Sequence, residues 1–122
     1  MSTEIWINPG CSKCRAAKAE LDAAGVAYTE RRYLDDVPTA GELAEVLTRM
    51  GLEPWDIARP KETREAGITY PRDAEHRADW LAAMVADPLT IQRPIITADD
   101  GTTVVARDPE TLADVVSRGR AT

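Results

Sequence analysis

The chain of 122 residues has very little cysteine and histidine, and this scarcity narrows the chemistry open to it. Cys11 and Cys14 are its two cysteines, which are too few for a framework of disulfide bonds. A structural zinc site would need further ligands, and the single histidine, His76, lies far from the pair in sequence. We therefore expect no metal ion and no bound cofactor.

The sequence also lacks long apolar runs and an excess of positive charge. No run approaches the ~18 apolar residues that suggest a transmembrane helix, and the N-terminus lacks the basic and apolar segments of a secretion signal. The net charge of -6 argues against nucleic acid as the main partner. We expect a cytoplasmic, monomeric protein that binds neither membranes nor nucleic acid.

The composition that is present indicates one folded domain over residues 1–122. Hydrophobic residues make up 43% of the chain and charged residues 30%, which argues against disorder. A β-rich segment at 4–7 precedes a turn at 8–10, a helix-forming stretch at 11–24 and a second strand at 26–34. A strand, a helix and a strand of these lengths predict a parallel pair joined by a right-handed crossover.

The middle of the chain, at about residues 38–90, has the pattern of a helical block. Thr39 and Glu42 have the spacing of a capping box, and apolar residues then recur at helical spacing up to Gly51. Further helical segments are predicted at residues 51–57, 61–66 and 73–86.

The last third of the chain returns to strands. Residues 94–97 are short and β-branched, and turn-forming residues at 99–101 lead into a strand at 102–106. Asp108 precedes a final helix, with Pro109 near its first position. Together the elements predict a single α/β domain, with a mixed four-stranded sheet and a helical insertion.

The two cysteines, Cys11 and Cys14, follow a strand and a tight turn and open a helix. At a helix N-terminus the free N–H groups and the macrodipole favour a thiolate over a thiol, and Lys13 and Arg15 add positive charge. Cys11 is therefore the expected nucleophile, and Cys14, one helical turn further on, suits a resolving thiol. The alternative is a pair of buried cysteines without a chemical role.

The residues around this pair resemble a known family. Residues 8–15, NPGCSKCR, resemble the start of the ArsC family, the arsenate reductases with a thioredoxin-like fold. Further matches follow in the family's order: Arg59 in RPKE, Arg93 in QRPII and Arg107 before the last helix. The resemblance covers almost the whole chain. It implies a thioredoxin-like three-layer fold, with Pro94 at the position of a cis-proline near the site.

The resemblance implies thiol-dependent reduction of arsenate to arsenite. Arsenate is a tetrahedral oxyanion, and guanidinium groups bind such oxygens through a planar fork. Arg59, Arg93 and Arg107 are therefore expected to bind arsenate around Cys11. Asn8 is a further candidate, either beside the thiolate or simply as a turn former.

The implied cycle consumes two electrons from an external reductant. Cys11 attacks arsenic, a second thiol attacks the Cys11 sulfur, and As(III) leaves. Either Cys14 or a small thiol can be that second thiol. The reductant is left open between glutathione with glutaredoxin, mycothiol with mycoredoxin, and thioredoxin, so a redoxin is the expected protein partner.

Two departures from the family pattern keep other functions open. The well-studied reductases have a histidine that helps to activate the nucleophile, and Ile7 stands at its position here. They also lack a cysteine at the Cys14 position, whereas a Cys-x-x-Cys pair is typical of the related Spx branch of thiol-sensing regulators that bind RNA polymerase. An Spx-like regulator and a general glutaredoxin-like oxidoreductase are therefore the alternatives. For each arginine the alternative is a solvated surface charge or a structural ion pair, because arginine is common in this chain, which has 12 arginines and 3 lysines.

Overall fold

A computed structural model describes residues 3–119, which contain four β-strands and five α-helices. These residues divide into two compact units. One unit is made of the chain up to Asp36 and from Arg93 onward, and the other is Val37–Gln92. Each unit is described by itself below, and the prediction of a single domain over 1–122 stays a prediction.

The first unit is built on a mixed four-stranded sheet. Its strands are β1 (Thr3–Ile7), β2 (Tyr28–Arg32), β3 (Ile95–Thr97) and β4 (Thr103–Val105). Their order across the sheet is β2-β1-β3-β4. β1 and β2 are parallel, whereas β3 is antiparallel to both β1 and β4. The predicted α/β class and mixed sheet are therefore confirmed.

Strand β2 is shorter than the predicted segment at 26–34, because only its polar middle pairs with the sheet. Val26 lies before the strand and Tyr33 after it, and both are buried, at 7% and 0% exposure. β2 is an edge strand, so one of its sides makes no ladder hydrogen bonds and its residues can be polar. The apolar residues that suggested a longer strand are anchors at its two ends.

Two helices, α1 (Ser12–Ala23) and α5 (Pro109–Gly119), share one hydrophobic core with the sheet. α1 buries residues spaced by three and four positions, which is the spacing of one helical face. One cluster joins the two helices to the strands: Ile5, Ile7, Cys14, Ala17, Leu21, Ile96, Val115 and Val116. Cys14 is therefore part of the core as well as of the thiol pair.

The β3–β4 hairpin closes through the predicted turn. The Ala98 N–H donates to the Thr102 carbonyl at 2.8 Å, and Gly101 has a φ of +88°, a left-handed conformation that favours glycine. This turn sets the register that pairs Ile95 with Val105. It thereby places Arg93 and Pro94, which precede β3, beside the residues that follow β4.

The second unit is helical. Its α-helices are α2 (Ala40–Met50), α3 (Pro60–Glu65) and α4 (Arg77–Ala86), with short 3₁₀ turns at Pro54–Ile57, Ala74–His76 and Pro88–Thr90. The predicted helix at 73–86 therefore begins with a 3₁₀ turn before α4 starts.

The capping box predicted for α2 is confirmed. The Thr39 hydroxyl accepts from the Glu42 N–H at 3.1 Å, and the Thr39 N–H donates to the Glu42 carboxylate at 3.0 Å. The helix ends at Gly51, which has a φ of +68°. Its apolar face is buried, with Leu43 fully inaccessible to solvent.

Within residues 3–119, no helix has both the length and the apolar composition needed to cross a membrane.

Candidate active site

The turn between β1 and α1 places Cys11 at the start of a helix. Cys11 is the N-cap of α1, and its N–H donates to the Asn8 carbonyl at 2.9 Å. The Cys11 carbonyl accepts the first helical hydrogen bond, from Arg15, at 3.1 Å. The thiol is only partly exposed. The sulfur therefore lies where the first free N–H groups of α1 point.

Asn8 holds this turn through its side chain as well as its carbonyl. Its Oδ1 accepts from the Gly10 N–H at 3.0 Å. Its main-chain N–H donates to the sulfur of Cys14 at 3.4 Å. These contacts agree with the turn-forming alternative for the Asn8 side chain, and its role as a ligand for arsenate stays a prediction.

The environment of Cys11 favours the thiolate. Burial alone raises its pKa, but the N–H groups of Cys14 and Lys13, the Cys14 thiol and the Arg93 guanidinium all favour the charged sulfur. Their combined effect lowers the pKa of Cys11 from 9.0 to about 7. About half of the molecules therefore carry a Cys11 thiolate near neutral pH.

Cys14 has the opposite character. Burial raises its pKa to about 12, and the hydrogen bond and negative charge of Cys11 act in the same direction. The Asn8 N–H and the charge of Arg93 oppose this rise without overcoming it. Cys14 has no exposure to solvent and is a free thiol, as is Cys11. At neutral pH the pair therefore consists of a nucleophilic Cys11 and a protonated Cys14.

Arg93 brings a buried positive charge to the thiol pair. It is only 6% exposed and lies directly before β3, in the cis peptide bond with Pro94. The Arg93 guanidinium acts on both sulfurs: it lowers the pKa of Cys11 and opposes the rise in the pKa of Cys14. The peptide bond between Arg93 and Pro94 is cis, as the family resemblance implied. A contact between Arg93 and arsenate stays a prediction.

Arg107 follows β4 and belongs to the same unit as Arg93. Its Nη1 donates to the main-chain carbonyl of Arg93 at 2.7 Å. Arg107 therefore contacts the segment that carries Arg93, and its predicted role as an arsenate ligand stays a prediction.

Arg59 belongs to the second unit, where it is the N-cap of α3. Its Nε donates to the Glu62 carboxylate at 2.8 Å, and both side chains are about a quarter exposed, at 25% and 21%. This contact is consistent with a structural ion pair, and it is equally consistent with an arginine that binds substrate. The role of Arg59 in binding arsenate stays a prediction.

Sequence analysis assigned Lys13 and Arg15 only a favourable charge, and the structure gives each a more local task. The Lys13 main-chain N–H favours the Cys11 thiolate, and Arg15 Nη1 donates to the Pro9 carbonyl at 3.1 Å. The contact of Arg107 with the Arg93 carbonyl was also missed. No residue pattern signals a bond from a side chain to a distant main-chain carbonyl.

The part of the chain that the structure describes contains no group of three or more His, Cys, Asp or Glu side chains able to hold a metal ion. What the site offers chemically is one activated thiolate, a second thiol and a buried guanidinium.

Comparison with known proteins agrees with this arrangement. A sequence model of the ArsC family matches residues 6–115. The chain belongs to the ArsC family. The fold of this ArsC-family chain is similar to that of a solved structure described as an arsenate reductase from Vibrio cholerae, with a TM-score of 0.82 and 31% identity over 94% of this chain and 98% of the other.

Two further relatives are similar to this ArsC-family chain. An uncharacterized protein in the glnII region of Streptomyces viridochromogenes is 56% identical over 94% of this chain and 99% of its own length. The global transcriptional regulator Spx of Staphylococcus saprophyticus is 29% identical over 75% of this chain and 70% of its own length. The proteins similar to this chain therefore include an arsenate reductase, an uncharacterized protein and a transcriptional regulator.

Proposed function

We propose that this protein reduces arsenate to arsenite, with Cys11 as the nucleophile. The observation that carries the proposal is a thiolate, with a pKa of about 7, at a helix N-terminus beside the buried guanidinium of Arg93. A thiolate next to a fixed positive charge suits a tetrahedral oxyanion substrate. The likeness to an arsenate reductase over nearly the full length supports the same substrate class.

In the first step, the Cys11 thiolate attacks arsenic. A sulfur–arsenic bond forms, an arsenic–oxygen bond breaks, and the released hydroxide takes a proton from solvent and leaves as water, so that arsenic remains As(V). Arg93 neutralises the oxyanion and holds it in line with the sulfur. Arg107, in the same unit, joins Arg93 in the proposal, and Arg59 is included on the family resemblance alone. A general base in place of Ile7 is not needed, because Cys11 is already half ionised near pH 7.

In the second step, another thiolate attacks the Cys11 sulfur. A disulfide forms, the sulfur–arsenic bond breaks, and its electron pair stays on arsenic as As(III). In the proposal Cys14 supplies this thiolate, which is supported by the mutual effect of the two thiols on their pKa values. The negative charge of Cys11, one cause of the raised pKa of Cys14, is removed when that sulfur bonds to arsenic. A small thiol or redoxin in the same role is the second possibility, and two electrons from an external reductant close the cycle.

The test measures arsenite formed from arsenate by the wild-type protein and by the Cys11→Ser and Cys14→Ser variants. Each protein is supplied in turn with glutathione and glutaredoxin, mycothiol and mycoredoxin, or thioredoxin. We expect turnover with at least one reductant and none for Cys11→Ser. If Cys14 is the resolving thiol, Cys14→Ser stops after one equivalent of arsenic has bound. No turnover with any reductant would refute the proposal.

The alternative of a redox-sensing regulator is supported by the Cys-x-x-Cys pair and by the Spx relative. It predicts that Cys11 and Cys14 form a disulfide on mild oxidation, and that RNA polymerase binds one redox state more tightly than the other. A pull-down with RNA polymerase, on the oxidised and the reduced protein, separates this function from the reductase. A general thiol-disulfide oxidoreductase would instead reduce a mixed disulfide of glutathione without arsenate.

A further inference from the structure

The residues that follow β4 hold the main chain that precedes β3. The Ala106 N–H donates to the Pro94 carbonyl at 2.9 Å, and Arg107 Nη1 donates to the Arg93 carbonyl at 2.7 Å. Two consecutive residues thus bind two consecutive carbonyls. The first bond uses the main chain and is open to almost any residue at that position. The second needs a long side chain with a donor at its end, and it depends on Arg107.

The carbonyl that Arg107 binds belongs to the residue whose side chain activates the nucleophile. Arg93 is 6% exposed, and its guanidinium lies close enough to the Cys11 sulfur to favour the thiolate. Hydrogen bonds weaken steeply as the donor moves away or turns from the acceptor. A small shift of the Arg93 main chain would therefore weaken its effect on the Cys11 sulfur.

We propose that Arg107 is a positioning residue, which holds the main chain of Arg93 so that the Arg93 guanidinium stays against the Cys11 sulfur. A hydrogen bond from a charged donor is stronger than a neutral one, which suits this task. The remaining N–H groups of Arg107 can still serve an anion. The proposal rests on the proposed function in one respect only, that Cys11 is the nucleophile.

The structure also specifies what else acts on Cys11. Besides Arg93, the contributing groups are the thiol of Cys14 and the N–H groups of Cys14 and Lys13. Arg107 is linked to Cys11 through the Arg93 carbonyl contact. Its effect on Cys11 should therefore disappear once the Arg93 guanidinium is removed, which gives the proposal a specific test.

The test is a double-mutant cycle on the full chain with Arg107→Gln, Arg93→Gln and the double variant. The rate of Cys11 alkylation by iodoacetamide is followed from about pH 6 to about pH 10, a range that brackets ordinary thiol pKa values. Peptide mass spectrometry confirms that Cys11 is the residue modified. Alkylation needs no arsenate, so the double-mutant cycle can still be interpreted if arsenate turnover fails and the proposed function is refuted.

We expect the wild-type Cys11 to titrate near pH 7. Arg107→Gln and Arg93→Gln should each raise the pKa, and the double variant should lie no higher than Arg93→Gln. A rise of one pH unit lowers the thiolate fraction at pH 7 about fivefold. An unchanged pKa in Arg107→Gln, or additive shifts in the double variant, would overturn the proposal, since additivity would mean that Arg107 acts through its own charge.

A control variant and a fallback variant complete the test. Arg118→Gln removes an exposed guanidinium that pairs with Asp114 and Asp100 in the same unit, and it should leave the Cys11 pKa unchanged. A shift of equal size in this variant would attribute the effect to net charge and overturn the proposal. If Arg107→Gln does not fold, the same cycle is measured with Arg107→Met, which keeps a long side chain but has no donor for the Arg93 carbonyl, and the same rise in the Cys11 pKa is expected.

Discussion

The depressed pKa of Cys11 has a consequence for folding that can be measured without any substrate. The pKa falls from 9.0 in the ordinary thiol to about 7 in the folded protein, so folding favours the thiolate. Cys11 therefore stabilises the folded state fully above pH 9, and this contribution is lost as the pH falls through about 7. Between these limits the free energy of unfolding should rise with pH.

The size of the effect follows from the shift. Two pH units correspond to about 2.7 kcal/mol, and because Cys11 is partly exposed, solvent screening reduces the expected gain to about 1–2 kcal/mol. The measurement is urea unfolding of the reduced wild-type protein and of Cys11→Ser at several pH values up to 9. The difference between the two proteins isolates Cys11, because other groups that titrate in this range are present in both.

Serine is a good N-cap, so Cys11→Ser can change stability by a constant amount. The test is therefore the slope with pH and not the offset. Above pH 9 Cys14 acts in the opposite direction, because burial raises its pKa to about 12 and the stability of its protonated form is lost as the pH rises. A difference between wild type and variant that stays flat from pH 7 to pH 9 would refute the assignment of Cys11 as the activated thiol.

Three further predictions concern the elements that support the site. Cys14→Ala should raise the pKa of Cys11, because it removes a thiol that favours the Cys11 thiolate; iodoacetamide kinetics measure this change. The same variant should lower the free energy of urea unfolding by about 1–2 kcal/mol, because Cys14 is fully buried. Gly119→Ala should lower the free energy of urea unfolding by about 1 kcal/mol, because its Cβ would lie 3.0 Å from the Thr3 hydroxyl. Thr39→Ala should also cost about 1 kcal/mol in urea unfolding, since it removes the cap bond to the Glu42 N–H.

Two of these variants, Gly119→Ala and Thr39→Ala, have a matched control. Gly41→Ala, within α2, places its Cβ 3.8 Å from the Thr39 hydroxyl, an ordinary contact distance, so the stability should be unchanged or raised. Thr48→Ala removes an exposed threonine outside the cap and should change stability by no more than ~0.5 kcal/mol. Equal losses in a control and its partner would contradict the crowding at Gly119 or the capping role of Thr39. A Cys11 pKa that does not change in Cys14→Ala would contradict the hydrogen bond between the two thiols.

The local elements of this fold could be predicted because their signals lie within a few residues of one another. The capping box of Thr39 and Glu42 and the hairpin turn at Gly101 each depend on contacts over at most about four positions. The strand, turn and helix around Cys11 are of the same kind. Errors arose where tertiary context intervened, as at β2, whose buried flanks at Val26 and Tyr33 resembled parts of the strand itself.

The candidate site was predictable in part. The position of Cys11 at a helix N-terminus follows from the chain near it, whereas the partnership with Arg93 was expected only from the family resemblance. Arg93 reaches Cys11 because β3 pairs antiparallel with β1, which brings together residues 82 positions apart in sequence. Nothing in the local pattern distinguishes Arg93 from the other arginines of the chain.

The sequence by itself therefore determined most of the elements and the placement of Cys11 at a helix N-terminus with a second thiol one turn further on, because propensities, caps and helix N-termini act over short distances. Only the tertiary structure decided how far the pKa values of Cys11 and Cys14 differ. That difference arises from burial, from N–H groups aimed at sulfur and from the buried charge of Arg93. The contact between Arg107 and the Arg93 carbonyl was likewise decided by strand pairing, since it joins two segments that are adjacent only in the folded sheet.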